Sequence, residues 1–587
     1  MPNPSLQQTT GTKKSYSFLF KHEDYWAIWL GAIILIIGLF IFLGNPPADM
    51  NQIIADSNAT MKAEAERAPF KTISWIEAND AKASLKGSNI PAAKTISKYL
   101  KTPGTWNTAN PGKSFFLSKA EAEAKSAASL AAYEEAKAAT AAAKEAAIAA
   151  EEAAARAEFK DTALNNEAEA QIAAWQKAKA AEAKAKTAAE TKPYNYIGTM
   201  IILMIILGLF FAIGRYFIGE APVGKFLKAF PVVFIIAALS FFLGNHEFSK
   251  AWGIEYVLWA ILIGFLISNT VGTPKWIMPA VQTEYYIKTG LVLLGATILF
   301  NKILLIGLPG IFVTWCVTPF VLILTFIFGQ KVLKMESPTL NIVISADMSV
   351  SGVSAAIAAA AACRAKKEEL TLAIGISIVF TAVMMVLMPL FIKFVGLNQV
   401  VGGAWMGGTI DSTGAVVASG EILGPVARDV AATVKMIQNI LIGLMAFCIA
   451  AYWALKVDTS RASETDLSFK GALREIWNRF PKFVLGFMGA SILFSIIYGA
   501  LGTESSKVLI DNGLTSFIGS LQKWFFALAF ASIGLSTDFR EFGKYFKGGK
   551  PVILYVCGQG FSLIASLTMC YIMFMKVFPH VTQALMK

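Results

Sequence analysis

Two stretches of this chain set a single aspartate among glycines and hydroxyls, inside runs otherwise apolar enough to span a bilayer. Leu340 to Ala362 reads LNIVISADMSVSGVSAAIAAAAA, and Val401 to Ser419 reads VGGAWMGGTIDSTGAVVAS. An ionisable group at membrane depth costs at least about 2.5 to 3.5 kcal/mol on insertion scales, so Asp347 and Asp411 must face protein or water. Around them, Ser349, Ser351, Gly352 and Ser354, and Thr409, Ser412 and Thr413, suit helices that break and restart, because hydroxyls can bond backbone groups freed at a break. A restarted helix offers unpaired N–H groups and the positive end of its dipole to an anion. Carboxylates at the same breaks suit Na⁺ or H⁺, with Asp347 and Asp411 as candidate Na⁺ ligands. Close packing through small residues explains the alanines but not the aspartates.

Other polar groups could join them. Lys435 and Gln438, with Asn439, fall within about one helical turn at the start of the next apolar run. Lys435 reads equally as a counter-ion for the aspartates or as an end-of-helix side chain reaching for water. Asn269 and Thr270 end another apolar run and could supply neutral ligands. Pro309, Pro319 and Pro389 lie inside spans and mark kinks.

Catalytic chemistry finds little support. The only histidines, His22, His246 and His580, are far apart in sequence, and the five cysteines lie in or at the ends of apolar segments. There is no HExxH, zinc spacing or disulfide framework. The expectation is a protein that is not an enzyme and carries no cofactor. The net charge of +12 is spread over short loops, which orients a membrane protein rather than binding nucleic acid.

These residues sit in a chain of 587 residues, 55% hydrophobic and 16% charged, a composition for which the bilayer is the solvent. Three regions are predicted: 1–47, a cytoplasmic tail and retained anchor (Tyr25 to Leu43); 48–192, an extracytoplasmic alanine-rich helical region; and 193–587, a membrane domain. The alanine-rich part begins at a capping box, Ser118 and Glu121, turns near Asp161 and ends before Pro193, so it reads as a solvated helical hairpin. Trp106, Phe115 and Phe116 suggest packing at its base. About twelve further apolar segments follow. Threading them alternately from a cytoplasmic N-terminus places most basic loops inside, but leaves Arg364, Lys366 and Lys367 outside. A segment near them fails to cross, or the count is off by one.

From about Ala221 to Phe574 the chain resembles the bacterial YeiH-type, UPF0324-like family, named for sulfate export. The likeness rests on ISNTVGTP at Ile267, KTGLVLLGATI at Lys288, SVSGVSAAIAA at Ser349, WMGGTIDSTGAVVASG at Trp405, VKMIQ at Val434, FPKFVLGF at Phe480 and ALAFASIGLSTDF at Ala527. It implies an all-α membrane bundle of inverted repeats with broken crossing helices, similar to bile-acid and sodium/proton transporter folds. It also implies a small oxyanion such as sulfate as substrate. Where the family usually carries histidine, glutamine and arginine, this chain has Asp411, Ala415 and Gln438, and near Asp347 it has lost a glycine. Those departures favour cation coupling.

The function expected is ion-coupled secondary transport of a small anion in the cell inner (plasma) membrane, with the lipid bilayer and further copies of the chain as candidate partners. Two alternatives are a cation/proton antiporter using the aspartate pair, and a membrane-anchored scaffold or sensor using the hairpin.

Overall fold

Hydrocarbon offers no partner for a backbone N–H or C=O, so apolar segments of this length must close their hydrogen bonds within a helix. The computed structural model describes residues 18–219, 222–252, 254–298, 300–457, 469–541 and 549–586. The tail with Lys13 and Lys14 and parts of two basic loops, 458–468 and 542–548, lie outside them. The first spanning helix, α1 (Glu23–Gly44), leads into five helices outside the apolar part: α2 (Met50–Arg67), α3 (Ile73–Ser84), α4 (Pro91–Tyr99), the long α5 (Lys119–Arg156) and α6 (Thr162–Ala189). The bundle resumes with the spanning helices α7 (Tyr196–Ile218) and α8 (Val223–Gly244), two shorter helices, α9 (Tyr256–Thr270) and α10 (Thr283–Thr297), and the spanning α11 (Phe300–Lys331). Two broken segments, α12 (Pro338–Ala346) with α13 (Val353–Cys363) and α15 (Gln399–Thr409) with α16 (Thr413–Leu423), flank α14 (Lys367–Phe394). Then come α17 (Pro425–Tyr452), an amphipathic α18 (Phe469–Arg479), α19 (Phe483–Leu501), α20 (Thr503–Ser536), α21 (Lys550–Val577) and a short α22 (Pro579–Met586). Among the described residues nine helices are long and apolar enough to cross a membrane, which fixes a multi-pass bundle.

Contacts assign the two faces. The face where α1 begins, here the proximal face, holds Glu23 and Asp24 against Lys288 of α10, and the Lys482 amide at the start of α19 donates to Asp24 (2.7 Å). The opposite, distal face receives the region between α1 and α7. There Trp106 stacks on Phe242 at the end of α8 with ring centres 4.1 Å apart, and its indole N–H donates to the Phe242 carbonyl (2.6 Å). Phe115 stacks on the same ring, whereas Phe116 is exposed. Antiparallel pairing of Phe116–Leu117 with Tyr194–Asn195 closes the base of the α5–α6 hairpin.

That hairpin starts at the capping box, with Ser118 and Glu121 bonded reciprocally, and its second helix is capped by Asp161. Alanine buries too little area to pack two helices strongly. The added hold comes from α2 and α3: Ile73 and Ile76 pack with Ala147, Ile172 and Trp175, and Glu151 accepts from Arg67 (2.9 Å) and the Ile73 amide (2.8 Å). The solvated hairpin is therefore one half of a four-helix stalk.

The two broken segments do not cross. A straight helix would hold Ser337 about 48 Å from Glu369. Instead Glu369 accepts from the hydroxyls of both Ser337 and Thr339 (2.8 Å for the latter). Likewise Gln399 would stand about 42 Å from Ala427, yet the Ala427 amide donates to its side-chain oxygen (3.4 Å), and Gly402 abuts Leu423. Each segment is a re-entrant hairpin with both ends on one face. The Lys550 ammonium donates to the Lys334 carbonyl (3.1 Å), and Asn398 meets Met575 at the far end of α21, so the two hairpins enter from opposite faces. The all-helical bundle stands, but the broken helices fold back where crossing was expected. This also removes the topological conflict: Arg364, Lys366 and Lys367 return to the face of Lys331 and Lys334, and two uncrossed segments leave every later loop where alternation placed it.

Candidate functional site

Hairpin α12–α13 turns through a π-helical stretch, Asp347–Ser351, and Gly352 at φ 62°, ψ −132°, a conformation only glycine adopts without strain. Hairpin α15–α16 turns through three non-helical residues, the extended Ile410 and Ser412 and, between them, a bend at Asp411. The tips touch: a Cβ on Gly352 would fall 2.5 Å from the Asp411 carbonyl oxygen.

Breaking a helix frees carbonyls, and they are met from outside the hairpins. The Lys435 ammonium on α17 donates to the Val350 carbonyl (2.9 Å) and to Gln438 Oε1 (2.8 Å). The Gln438 amide donates to the Ser349 carbonyl (3.2 Å), the Gly408 carbonyl (3.1 Å) and Thr318 Oγ1 (3.1 Å). Gln559 on α21 donates to the Thr409 carbonyl (3.0 Å). Lys435 is fully buried, which excludes its reaching for water, because α17 begins at Pro425, well before the apolar run that marks it in sequence.

Amide groups at the tips are treated differently. At the outer end of each hairpin the first helix is capped, Ser337 accepting from the Leu340 amide and Asn398 from the Val401 amide. At the tips, Gly352 and Ser412 give α13 and α16 no side-chain cap, and the first intrahelical bonds start only at the Ala356 and Val416 amides. The uncapped ends face a cavity of about 700 Å³ lined by Ser351, Gly352, Ser354, Asp411, Ser412 and Thr413, and by Ser377, Thr381 and Asn439. Further walls, His22, Asp24, Tyr25, Glu284, Lys288, residues 477–483 and Ser536, belong to the proximal face, so it opens there. Helix α1, the anchor, is thus part of the cavity wall. Lys288 at the mouth bridges Glu23 and Asp24 (both 2.9 Å) and approaches Glu284 (3.7 Å), joining α1 to α10.

The candidate residues therefore separate into groups. Ser351, Gly352, Ser354, Asp411, Ser412 and Thr413 line the cavity, and Asn439 donates to Thr413 (3.1 Å). Asp347, Lys435 and Gln438 are buried immediately behind the tips. Ser349 and Thr409 spend their hydroxyls on the carbonyls one turn back, Ser345 (2.6 Å) and Trp405 (2.7 Å), and do not reach the cavity. Asn269 belongs elsewhere: it donates to the Phe265 and Thr537 carbonyls and accepts from the Phe539 amide, tying α9 to the end of α20. Tyr555 and Gln559 are additions. Tyr555 donates to Asp411 and Gln559 holds the second tip. Their signal in sequence is two polar groups four apart in an apolar run, hence on one helix face.

The family model described as "Conserved hypothetical protein 698" matches residues 228–555, which include both hairpins and Tyr555. A UPF0324 membrane protein of Nitratidesulfovibrio vulgaris is 56% identical over 567 residues, 96% of each chain, so its likeness extends into the anchor and stalk. Another, of Rhodopirellula baltica, is 54% identical over 64% of this chain and 68% of its own. The UPF0324 inner membrane protein YeiH of Escherichia coli is 22% identical over 56% of this chain and 89% of its own. No solved structure matches the chain significantly.

Proposed function

Since the chain belongs to the UPF0324 membrane protein family, we propose that it is an ion-coupled secondary transporter of a small anion, a sulfur oxyanion or sulfonate being the first to test. One observation carries the reading: two uncapped helix N-termini, one from each face, converge on the end of a cavity open to one side. Such ends supply N–H donors and positive dipole to an anion, and the hydroxyls of Ser351, Ser354, Ser412 and Thr413 add donors around it. Hairpins entering from opposite faces and meeting at depth suit a site reached from either side in turn. With the N-terminus in the cytoplasm of an inner membrane, the cavity is open inward.

Cation/proton antiport is the second reading. It is favoured by Asp347 and Asp411 outnumbering Lys435 at the tips, which leaves the buried centre short of one positive charge when both carboxylates are ionised.

Counterflow in proteoliposomes tests the first reading. Vesicles loaded with unlabelled sulfate, sulfite or methanesulfonate should accumulate the labelled species, and Asp411→Asn should abolish accumulation driven by a Na⁺ or H⁺ gradient. Gradient-driven proton flux that no anion alters would instead support the antiporter.

A further inference from the structure

In a Na⁺ site built at broken helices, carbonyls freed at the break are natural ligands for the ion. Here those of Ser349, Val350, Gly408 and Thr409 already accept from Gln438, Lys435 and Gln559. The Lys435 ammonium occupies, as part of the chain, the place a coupling cation would take. Asp347 is the opposite case. It is fully buried, outside the cavity lining, and neither carboxylate oxygen accepts a hydrogen bond of good geometry, with the Ser377 hydroxyl nearby but not aligned on it, a costly arrangement for a charged carboxylate.

Resting on the transport reading above, we propose that the coupling ion is a proton, carried by Asp347 and exchanged with the cavity through Tyr555 and Asp411. The Tyr555 hydroxyl donates to Asp411, which lines the cavity, and the Ser377 hydroxyl on α14 stands near both Tyr555 and Asp347, so the two hydroxyls link the reachable carboxylate to the sequestered one. In one transfer a protonated Asp411 gives its proton to the phenol oxygen, the phenol gives its own to the Ser377 hydroxyl, and Ser377 gives its own to Asp347, leaving Ser377 unchanged. Tyr555 is unchanged overall, and one proton has moved inward.

The groups facing Asp347 are few. Tyr555 comes from α21, Asp411 from the second tip and Lys435 from α17 by way of the Val350 carbonyl. Helices α11 and α14 bring only hydroxyls at that depth, Thr318, Thr325 and Ser377.

Infrared difference spectroscopy on the full chain in lipid vesicles tests this, acid minus alkaline. The C=O stretch of a protonated carboxylic acid should appear, be the same in NaCl and choline chloride, and be lost in Asp347→Asn. Tyr555→Phe should keep the band while slowing its response to a pH jump. A band that persists unchanged in folded Asp347→Asn overturns the assignment. If that variant does not fold, wild type decides: Na⁺ that removes the band, or raises thermal stability above choline, points to a Na⁺ site and overturns it. Failure of the transport reading would show separately, as absent counterflow with the spectrum intact.

Discussion

Gly352→Val is expected to abolish anion counterflow and to lower unfolding stability by about 3 kcal/mol, a sum of two costs. The first is conformational: at φ 62° and ψ −132° a β-branched residue is strained by about 1 to 3 kcal/mol. The second is steric, because the new Cβ would overlap the Asp411 carbonyl oxygen at 2.5 Å, and that atom is backbone and cannot rotate away. The tips must then part, which moves Asp411 and both uncapped helix ends. Gly489→Ala in α19 is the control, since nothing lies within 4 Å of a Cβ there, and it should leave both quantities within about 0.5 kcal/mol of wild type. Thermal unfolding in detergent and counterflow in vesicles read the two effects.

Gln438→Leu should cost about as much by a different route. One side chain satisfies Thr318, Ser349 and Gly408 and accepts from Lys435, so it joins α11, both hairpins and α17. Leucine preserves the volume and leaves two buried carbonyls unpaired, each at about 1 to 3 kcal/mol. A loss of about 3 kcal/mol in denaturant unfolding, with counterflow reduced at least about tenfold, is the expected outcome. Ser354→Ala, at an exposed cavity position, should change substrate affinity with little effect on stability.

How much of this was visible in the sequence follows from what hydropathy measures. It registers a polar group in an apolar run, so Asp347 and Asp411 stood out at once, as did the glycines and hydroxyls of the two breaks. It does not register direction. A segment of some 25 residues that crosses and one that enters and returns have the same composition, and only the stray positive charges of Arg364, Lys366 and Lys367 betrayed the difference. Lys435 was ambiguous because the apolar run begins beside it, whereas the helix begins ten residues earlier at Pro425. Asn269 misled because a polar residue at a helix end has the same appearance whether it ties two helices together or binds a ligand. Tyr555 and Gln559 passed unnoticed because neither is charged, and the partners that make them matter lie more than a hundred residues away.

Side-specific thiol labelling tests the central geometry most directly, namely that the hairpins enter from opposite faces and meet at their tips. The background is a chain with its five free cysteines, Cys316, Cys363, Cys448, Cys557 and Cys570, replaced. Lys331→Cys and Lys367→Cys should react with an impermeant reagent from one face, and Lys393→Cys and Pro425→Cys from the other. Labelling of Lys331→Cys and Lys367→Cys from opposite faces would mean that the first broken segment crosses, and would rule out the paired re-entrant hairpins.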